Sequence, residues 1–278
     1  MRILVKVGGA QLEQRDARQD LVRSVLAARA AGDEIVLVHG GGNQIRALGR
    51  RLSIEERYVD GLRVTDAATA EVVLMVLAGL VNKELVAAFE AEGARAVGLC
   101  GADGSTFSAV REVREADLGY VGSVARCDPA LVRTLLAQGY VPILSTVAPL
   151  SADAAGARDR FYNVNADLAA GPLCHAFGAS ALVFLTDVPG VLDAQGLRLA
   201  ELSPRACLEL RESGVIRGGM IPKVEAALAA LAANPGATIK IAPASGTDSV
   251  RAALEPGVGT RFIAEERARR EAWTSTSS

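Results

Sequence analysis

Residues 34–49 read Glu-Ile-Val-Leu-Val-His-Gly-Gly-Gly-Asn-Gln-Ile-Arg-Ala-Leu-Gly. The apolar run Ile35-Val36-Leu37-Val38 does not alternate with polar residues, which suits a strand covered on both faces. It empties into His39-Gly40-Gly41-Gly42, after which Ile45, Leu48 and Gly49 fall at helical spacing. A buried strand that passes through a glycine turn into a helix is the repeating half of a βαβ unit.

The same alternation extends outward in both directions. Strands are expected at 2–7, 34–38, 94–100, 141–145, 181–186, 237–242 and 260–263. Helices are expected at 20–31, with Gly32 at its C′ position, and from a cap at Thr65 or Asp66 to about Ala91, closed by Gly93. Further helices are expected at 129–138, from Asn165–Asp167 to a stop at Gly178, and at 204–212, 222–233 and 247–254. Residues 105–126 alternate apolar and polar, which predicts antiparallel hairpins forming a β-hairpin flap. Residues 151–160 read as a loop, and 264–278 as a charged helix with a Ser/Thr tail. The expected fold is α/β, an open, mostly parallel sheet sandwiched by helices, as one domain over 1–278.

Composition narrows the function. Thirty basic residues against thirty-two acidic give a net charge of −2, so no broad field calls for nucleic acid or anionic lipid. Half the residues are apolar and 22% charged, a globular balance far from disorder. The longest apolar run, 72–81, is too short to span a bilayer. Cys100, Cys127, Cys174 and Cys207 are scattered without a CxxC pair, which predicts buried thiols in a reducing, cytoplasmic setting. Two histidines, His39 and His175, are too few for a histidine-rich metal site.

Three strand ends carry glycine turns: Lys6-Val7-Gly8-Gly9, His39-Gly40-Gly41-Gly42 and Thr186-Asp187-Val188-Pro189-Gly190. In an open parallel sheet, ligands sit beyond such carboxyl ends, where bare N–H groups at a helix start favour anions. One such turn alone is explained by tight strand-to-helix geometry. The P-loop pattern is missing, and the dinucleotide fingerprint fails because Ile45 stands where its third glycine belongs. That break weakens a dinucleotide oxidoreductase.

Two lysines conflict with their surroundings. Lys6 lies in an apolar strand, and Lys223 follows Gly218-Gly219-Met220-Ile221-Pro222 in the first turn of a helix, opposing the dipole. A bound phosphate would resolve both; an edge-strand lysine and an exposed helix lysine are the plainer readings. Asn163, Asn165 and Asp167 alternate before a helix, although a single cap needs only one of them. Arg63 could pair with a substrate carboxylate or lie on the surface of its loop.

Taken together, Lys6–Gly9, Val38–Gly42, Asp60-Gly61-Leu62-Arg63-Val64-Thr65, Asn82-Lys83, Asn163–Asp167, Asp187–Leu192 and Gly218–Lys223 resemble the amino acid kinase family, in family order over nearly the whole chain to Ile263. Within the family they are most similar to the members that phosphorylate N-acetyl-L-glutamate. The resemblance implies an N-terminal substrate lobe to about residue 172, a C-terminal nucleotide lobe at about 173–264, and a tail at 265–278. It implies ATP as phosphoryl donor and N-acetyl-L-glutamate as acceptor, in a cytoplasmic homodimer.

Residue by residue, the resemblance makes Lys6 and Lys223 charge neutralisers in catalysis, with Asp167 orienting both. Gly41, Gly42, Arg63, Asn163 and Asn165 would bind the acceptor. Gly8, Gly9, Asp187, Val188, Gly190, Val191, Leu192, Gly219 and Met220 would surround the nucleotide. No protein metal ligand is implied, because Mg²⁺ would ride on the nucleotide phosphates and water. Two other readings stay open: a carrier-linked aminoadipate or glutamate kinase of lysine biosynthesis, and a non-catalytic amino-acid sensor on the same fold. A sensor predicts the loss of one lysine or of Asp167, and all three are present.

Overall fold

A computed structural model describes residues 1–155 and 160–265. Its strands are β1 (Arg2–Val7), β2 (Glu34–His39), β3 (Tyr58–Val59), β4 (Leu62–Arg63), β5 (Ala96–Leu99), β6 (Phe107–Arg111) and β7 (Val121–Cys127). They continue as β8 (Val141–Ser145), β9 (Val147–Pro149), β10 (Phe161–Val164), β11 (Ala181–Thr186), β12 (Glu201–Leu202), β13 (Thr238–Pro243) and β14 (Thr260–Phe262). The central sheet has eight strands in the order β12-β14-β13-β11-β1-β2-β8-β5. Pairing is parallel from β13 through to β5, and β14 turns antiparallel against β13.

Side chains along β1 alternate between two cores, as the strand period requires. Ile3, Val5 and Val7 face the layer holding Leu21, Val25, Leu85 and Phe89. Leu4 faces the opposite layer with Ala169, Leu173 and Ala227. Lys6 shares the parity of Leu4, so it points toward helix Ala166–Phe177 rather than to solvent. That parity is what puts a cation inside the protein.

The expected flap is less free-standing than its sequence suggests. β6 and β7 do form an antiparallel pair, but β7 also pairs with β10, and β10 with β9, giving a four-stranded sheet. The β9 and β12 strands and the short hairpin β3–β4 arise where the sequence shows only loops. The helix expected at 247–254 shrinks to Ser249–Ala252, because Gly246 at φ 90° and Asp248 at φ −128° keep its entry non-helical. Cys127 is only half-buried, unlike the other three cysteines. The charged helix expected at 264–278 lies almost wholly outside the described residues.

Helix Ala67–Ala91 is capped by Asp66, whose side chain accepts from Thr69 N at 2.8 Å. Its mean hydropathy of 1.9 over a window is high enough for a membrane span, yet Val72, Val76, Leu77, Val81 and Leu85 are buried against the sheet. A π-helical stretch, Met75–Val81, interrupts it and delivers Asn82 beneath β2 and β8.

There Asn82 Nδ2 donates to His39 Nε2 at 3.1 Å and to the Ile143 carbonyl at 3.0 Å. Lys83 Nζ donates to Asn82 Oδ1 and to the Gly98 carbonyl, both at 3.1 Å. A lysine only donates, so Asn82 must turn its oxygen to Lys83 and its amide to His39. His39 therefore accepts at Nε2 and carries its proton on Nδ1, which lies 3.0 Å from the Gly40 carbonyl.

A Cβ at Gly98 would fall 1.7 Å from Asn82 Oδ1 and 2.8 Å from Lys83 Nζ. Gly98→Ala should therefore cost about 1–3 kcal/mol in urea unfolding, and a loss under about 0.5 kcal/mol contradicts this packing. Burial, opposed by the Gly40 hydrogen bond and aided by the charges of Lys83 and Lys6, lowers His39 to about 4. The unfolded chain then binds the extra proton first. Its contribution is present above pH 6.5 and drains away as pH falls toward 4, by roughly 3 kcal/mol in all. Imidazole NMR should find His39 neutral at about pH 5.5, and a ring titrating near its ordinary value of 6.5 contradicts the network.

Candidate active site

The carboxyl ends of β1, β2 and β8 open into a cavity of 250 Å³, where an open α/β sheet presents its ligand crevice. Its walls include Lys6, Gly9, Gly40, Gly41, Gly42, Arg63, Thr146, Asn163, Asn165 and Asp167. A wider groove of 760 Å³ adjoins it, sharing Tyr58, Gly61, Leu62 and Asn165 and extending to Gly219 and Pro222.

Lys6, Asp167 and Lys223 meet through two helix starts. Asn165 caps helix Ala166–Phe177, its Oδ1 accepting from Asp167 N at 2.9 Å and Leu168 N at 3.1 Å. That places Asp167 in the first turn, over Lys6. Helix Met220–Ala233 packs alongside closely enough that a Cβ on Gly171 would sit 3.0 Å from Ala230 Cα. The close approach brings the first turn of the second helix, with Lys223, onto the same carboxylate.

Lys6 Nζ stands 2.7 Å from Asp167 Oδ1, and Lys223 Nζ is 3.4 Å from Oδ2. The Lys6 contact is an ion pair by distance but not an aligned hydrogen bond: Oδ1 has no directed donor among the described residues. Burial pushes Lys6 below the ordinary lysine range, against the pull of Asp167, and the charge of Lys223 adds to the lowering. Burial works to raise Asp167, but the two ammonium groups outweigh it and hold the carboxyl below its usual range. Two cations on one anion leave the cluster with a net positive charge, facing a cavity.

The glycine turns complete an anion cradle. The N–H groups of Gly41 and Gly42 donate to no acceptor among the described residues. Gly42 opens helix Gly42–Arg51, whose dipole favours negative charge. The His39–Gly40 hydrogen bond holds the carbonyl of the peptide whose nitrogen belongs to Gly41. Gly8 lies just behind, where a Cβ would come within 4.0 Å of Lys6 Nζ.

Arg63, on β4, lines the same cavity, and its setting escapes the sequence. Its Nη1 pairs with Glu56 at 2.7 Å, its Nη2 donates to the Gly42 carbonyl at 3.1 Å, and its guanidinium lies 4.9 Å over the Tyr58 ring. Arg46 and Tyr58 also bind Glu56. Desolvation raises Glu56, yet the hydrogen bonds from Tyr58 and Arg46 and the charge of Arg63 bring it down to about 2. Glu56 thus fixes Arg63 while cancelling part of its charge. Nothing in the charged run Glu55-Glu56-Arg57 distinguishes Glu56 from its neighbours.

Asn163 Nδ2 donates to Thr65 Oγ1 at 3.3 Å, and Thr65 Oγ1 donates to the Arg63 carbonyl at 2.8 Å. Thr65 thereby links Asn163 to Arg63. The remaining candidates stand apart from the cavity. Gly219 lines the adjoining groove and Met220 begins its helix. Thr186 Oγ1 donates to the Asp187 carboxylate at 3.0 Å. Val191 is buried and gives its N–H to Thr260 Oγ1 at 2.9 Å, while a Cβ on Gly190 would press against Thr260 at 2.7 Å. Val188 and Leu192 belong to the same loop, which follows β11 on the Lys6 side of the sheet.

The sequence profile of the amino acid kinase family matches residues 1–241. The acetylglutamate kinase of Methanopyrus kandleri is 46% identical over 239 residues, covering 83% of this chain and 91% of its own. That of Koribacter versatilis is 40% identical over 266 residues, covering 95% of this chain and 99% of its own. Among solved structures, a protein of Streptococcus mutans UA159 superposes with a TM-score of 0.78 at 27% identity, over 94% of this chain and 98% of that one. The strand ends, the lysine pair on one aspartate and these likenesses agree: the chain belongs to the amino acid kinase family, on its acetylglutamate kinase branch.

Proposed function

We propose that the protein transfers the γ-phosphoryl group of ATP to the side-chain carboxylate of N-acetyl-L-glutamate. The products are N-acetyl-L-glutamyl 5-phosphate and ADP, in the second step of arginine biosynthesis. The observation that carries this reading is the cavity itself, lined both by Lys6 and Asp167, with Lys223 on the same carboxylate, and by Arg63. A diacid fits such a lining, one carboxylate to the lysines and one to Arg63.

The nucleophile is a carboxylate oxygen that attacks the γ-phosphorus as the bond to the ADP oxygen breaks. A carboxylate is already ionised at neutral pH, so no general base is needed. This agrees with a site whose nearest histidine is buried, neutral and committed to the backbone. Catalysis is then positioning and charge neutralisation, as in other phosphoryl transfers. Lys6 and Lys223 face the negative charge that spreads over the transferring group, and Asp167 keeps them from recoiling from each other. The N–H groups of Gly9, Gly41 and Gly42, with Gly8 behind, hold phosphate and acceptor oxygens.

Arg63 takes the α-carboxylate, and Asn163 and the free amide of Asn165 face the body of the acceptor. The Asp187–Leu192 loop, through Asp187, Val188, Gly190 and Leu192, and the Gly219-Met220 helix start flank the nucleotide, with Val191 supporting the loop from the core. Among the described residues Asp167 is the only carboxylate on the cavity wall, it is held by two lysines, and no metal-binding cluster is gathered. Magnesium would ride on the nucleotide phosphates and water and would supply charge neutralisation there. The exposed Met75 and Leu80 on helix Ala67–Ala91 offer apolar surface for the homodimer expected of the family.

Coupled ADP release with Mg–ATP and N-acetyl-L-glutamate, beside glutamate, aspartate and N-acetyl-aminoadipate, tests the reading. Turnover should be confined to acetylglutamate; preference for free glutamate, or no turnover, contradicts it. In the same assay Lys6→Ala and Lys223→Ala should each lose roughly 10²–10³-fold in kcat, the usual cost of one preorganised charge-stabilising group. Either variant within tenfold of wild type removes that lysine from the transfer step.

A further inference from the structure

Thr146 directly follows β8 and lines the cavity with a side chain that is 1% exposed. Its Oγ1 has no hydrogen-bond partner among the described residues. A buried hydroxyl without a partner is uncommon and costs stability, and this one belongs to a residue that borders a ligand-sized cavity. We propose that Thr146 is a specificity-determining residue, its hydroxyl donating a hydrogen bond to the acetamido carbonyl of the acceptor. This rests on the acceptor reading given above.

The assignment follows from what the charged groups of the cavity leave over. Lys6 and the glycine N–H groups serve the reacting carboxylate, and Arg63 serves the α-carboxylate. The acetamido group remains, with one carbonyl that needs a donor and one N–H that needs an acceptor. Asn163 commits one N–H of its amide to Thr65 Oγ1, and its Oδ1 is left to accept the N–H of the acetamido group. Thr146 lies beside it: Val164 N donates to the Thr146 carbonyl at 2.9 Å, and Asn163 pairs with Val147 across β9 and β10. Its hydroxyl, like the Asn165 amide, is a neutral donor without an acceptor among the described residues, and Thr146 is the one that sits against the Asn163–Val147 strand pair. In sheet order β8 stands two strands from β1, roughly 10 Å away. That sets it on the side away from the nucleotide loop after β11.

The test is calorimetric binding of N-acetyl-L-glutamate, and of glutarate, which is the same diacid without the acetamido group, in the presence of magnesium and a non-hydrolysable ATP analogue. Thr146→Val should bind acetylglutamate about tenfold more weakly, the worth of one neutral hydrogen bond, and glutarate within about twofold of wild type. Thr146→Ser should recover most of the lost affinity. The Thr146→Val thermal midpoint should equal or exceed that of wild type, because an unpaired buried hydroxyl has been removed; a structural hydroxyl would give the opposite sign. Unchanged acetylglutamate affinity in Thr146→Val, equal weakening of both diacids, or no recovery in Thr146→Ser overturns the assignment. A wild type that binds acetylglutamate no better than glutarate overturns the acceptor reading itself, and the assignment with it.

Discussion

Two ammonium groups held on one buried carboxylate are the constraint around which this fold is arranged. Lys6 is 5% exposed at its side chain and Asp167 13%, so neither charge is paid for by water. Removing one partner from such a cluster strands the others in a poor dielectric, which makes the trio an all-or-none assembly. Each member comes from a different element: a central strand, the helix after β10 and the helix after a glycine loop. Holding them within 2.7 and 3.4 Å requires the strand parity, the Asn165 cap and the close packing of two helices to be right together.

Replacing all three at once by well-packed hydrophobic residues would relieve a conflict rather than create one. The cluster is therefore better understood as stored electrostatic potential than as a stabilising bond. Positive charge in excess over one carboxylate is unfavourable until an anion arrives, and then becomes the main source of attraction. The same logic applies to the open N–H groups at Gly41 and Gly42, set by the His39–Asn82–Lys83 chain behind them. In the proposed reaction, what looks like imperfect satisfaction in the free protein becomes complementarity to a charged ligand.

Much of this was legible in the sequence because parallel strands are buried on both faces. The runs at 141–145 and 181–186 match β8 and β11 residue for residue, since unbroken apolar strands leave little doubt about their limits. Lys6, Lys223 and Asp167 stood out as residues that break a local rule, and a broken rule is visible without a structure. Elements that depend on distant partners were not visible. β9 is three residues long and exists by pairing with β10, and the π-helical stretch at Met75–Val81 leaves no mark on an apolar helix pattern. Glu56 and Thr146 were missed for a related reason: a glutamate among charges and a threonine after a strand obey every local rule. Only the pairing of Glu56 with Arg63, and the lack of any partner for Thr146, sets them apart.

In the proposed reaction Asp167 holds two cations in place for the transferring phosphoryl group. Single-turnover phosphoryl transfer by Asp167→Asn, with nucleotide affinity measured on the same protein, tests it most directly. The side chain keeps its shape and loses only its charge, leaving two ammonium groups facing the phosphates. Nucleotide should bind as tightly as to wild type or more tightly, while transfer slows by at least about a hundredfold. Transfer within tenfold of wild type, or a slowing fully explained by weaker nucleotide binding, would contradict the account.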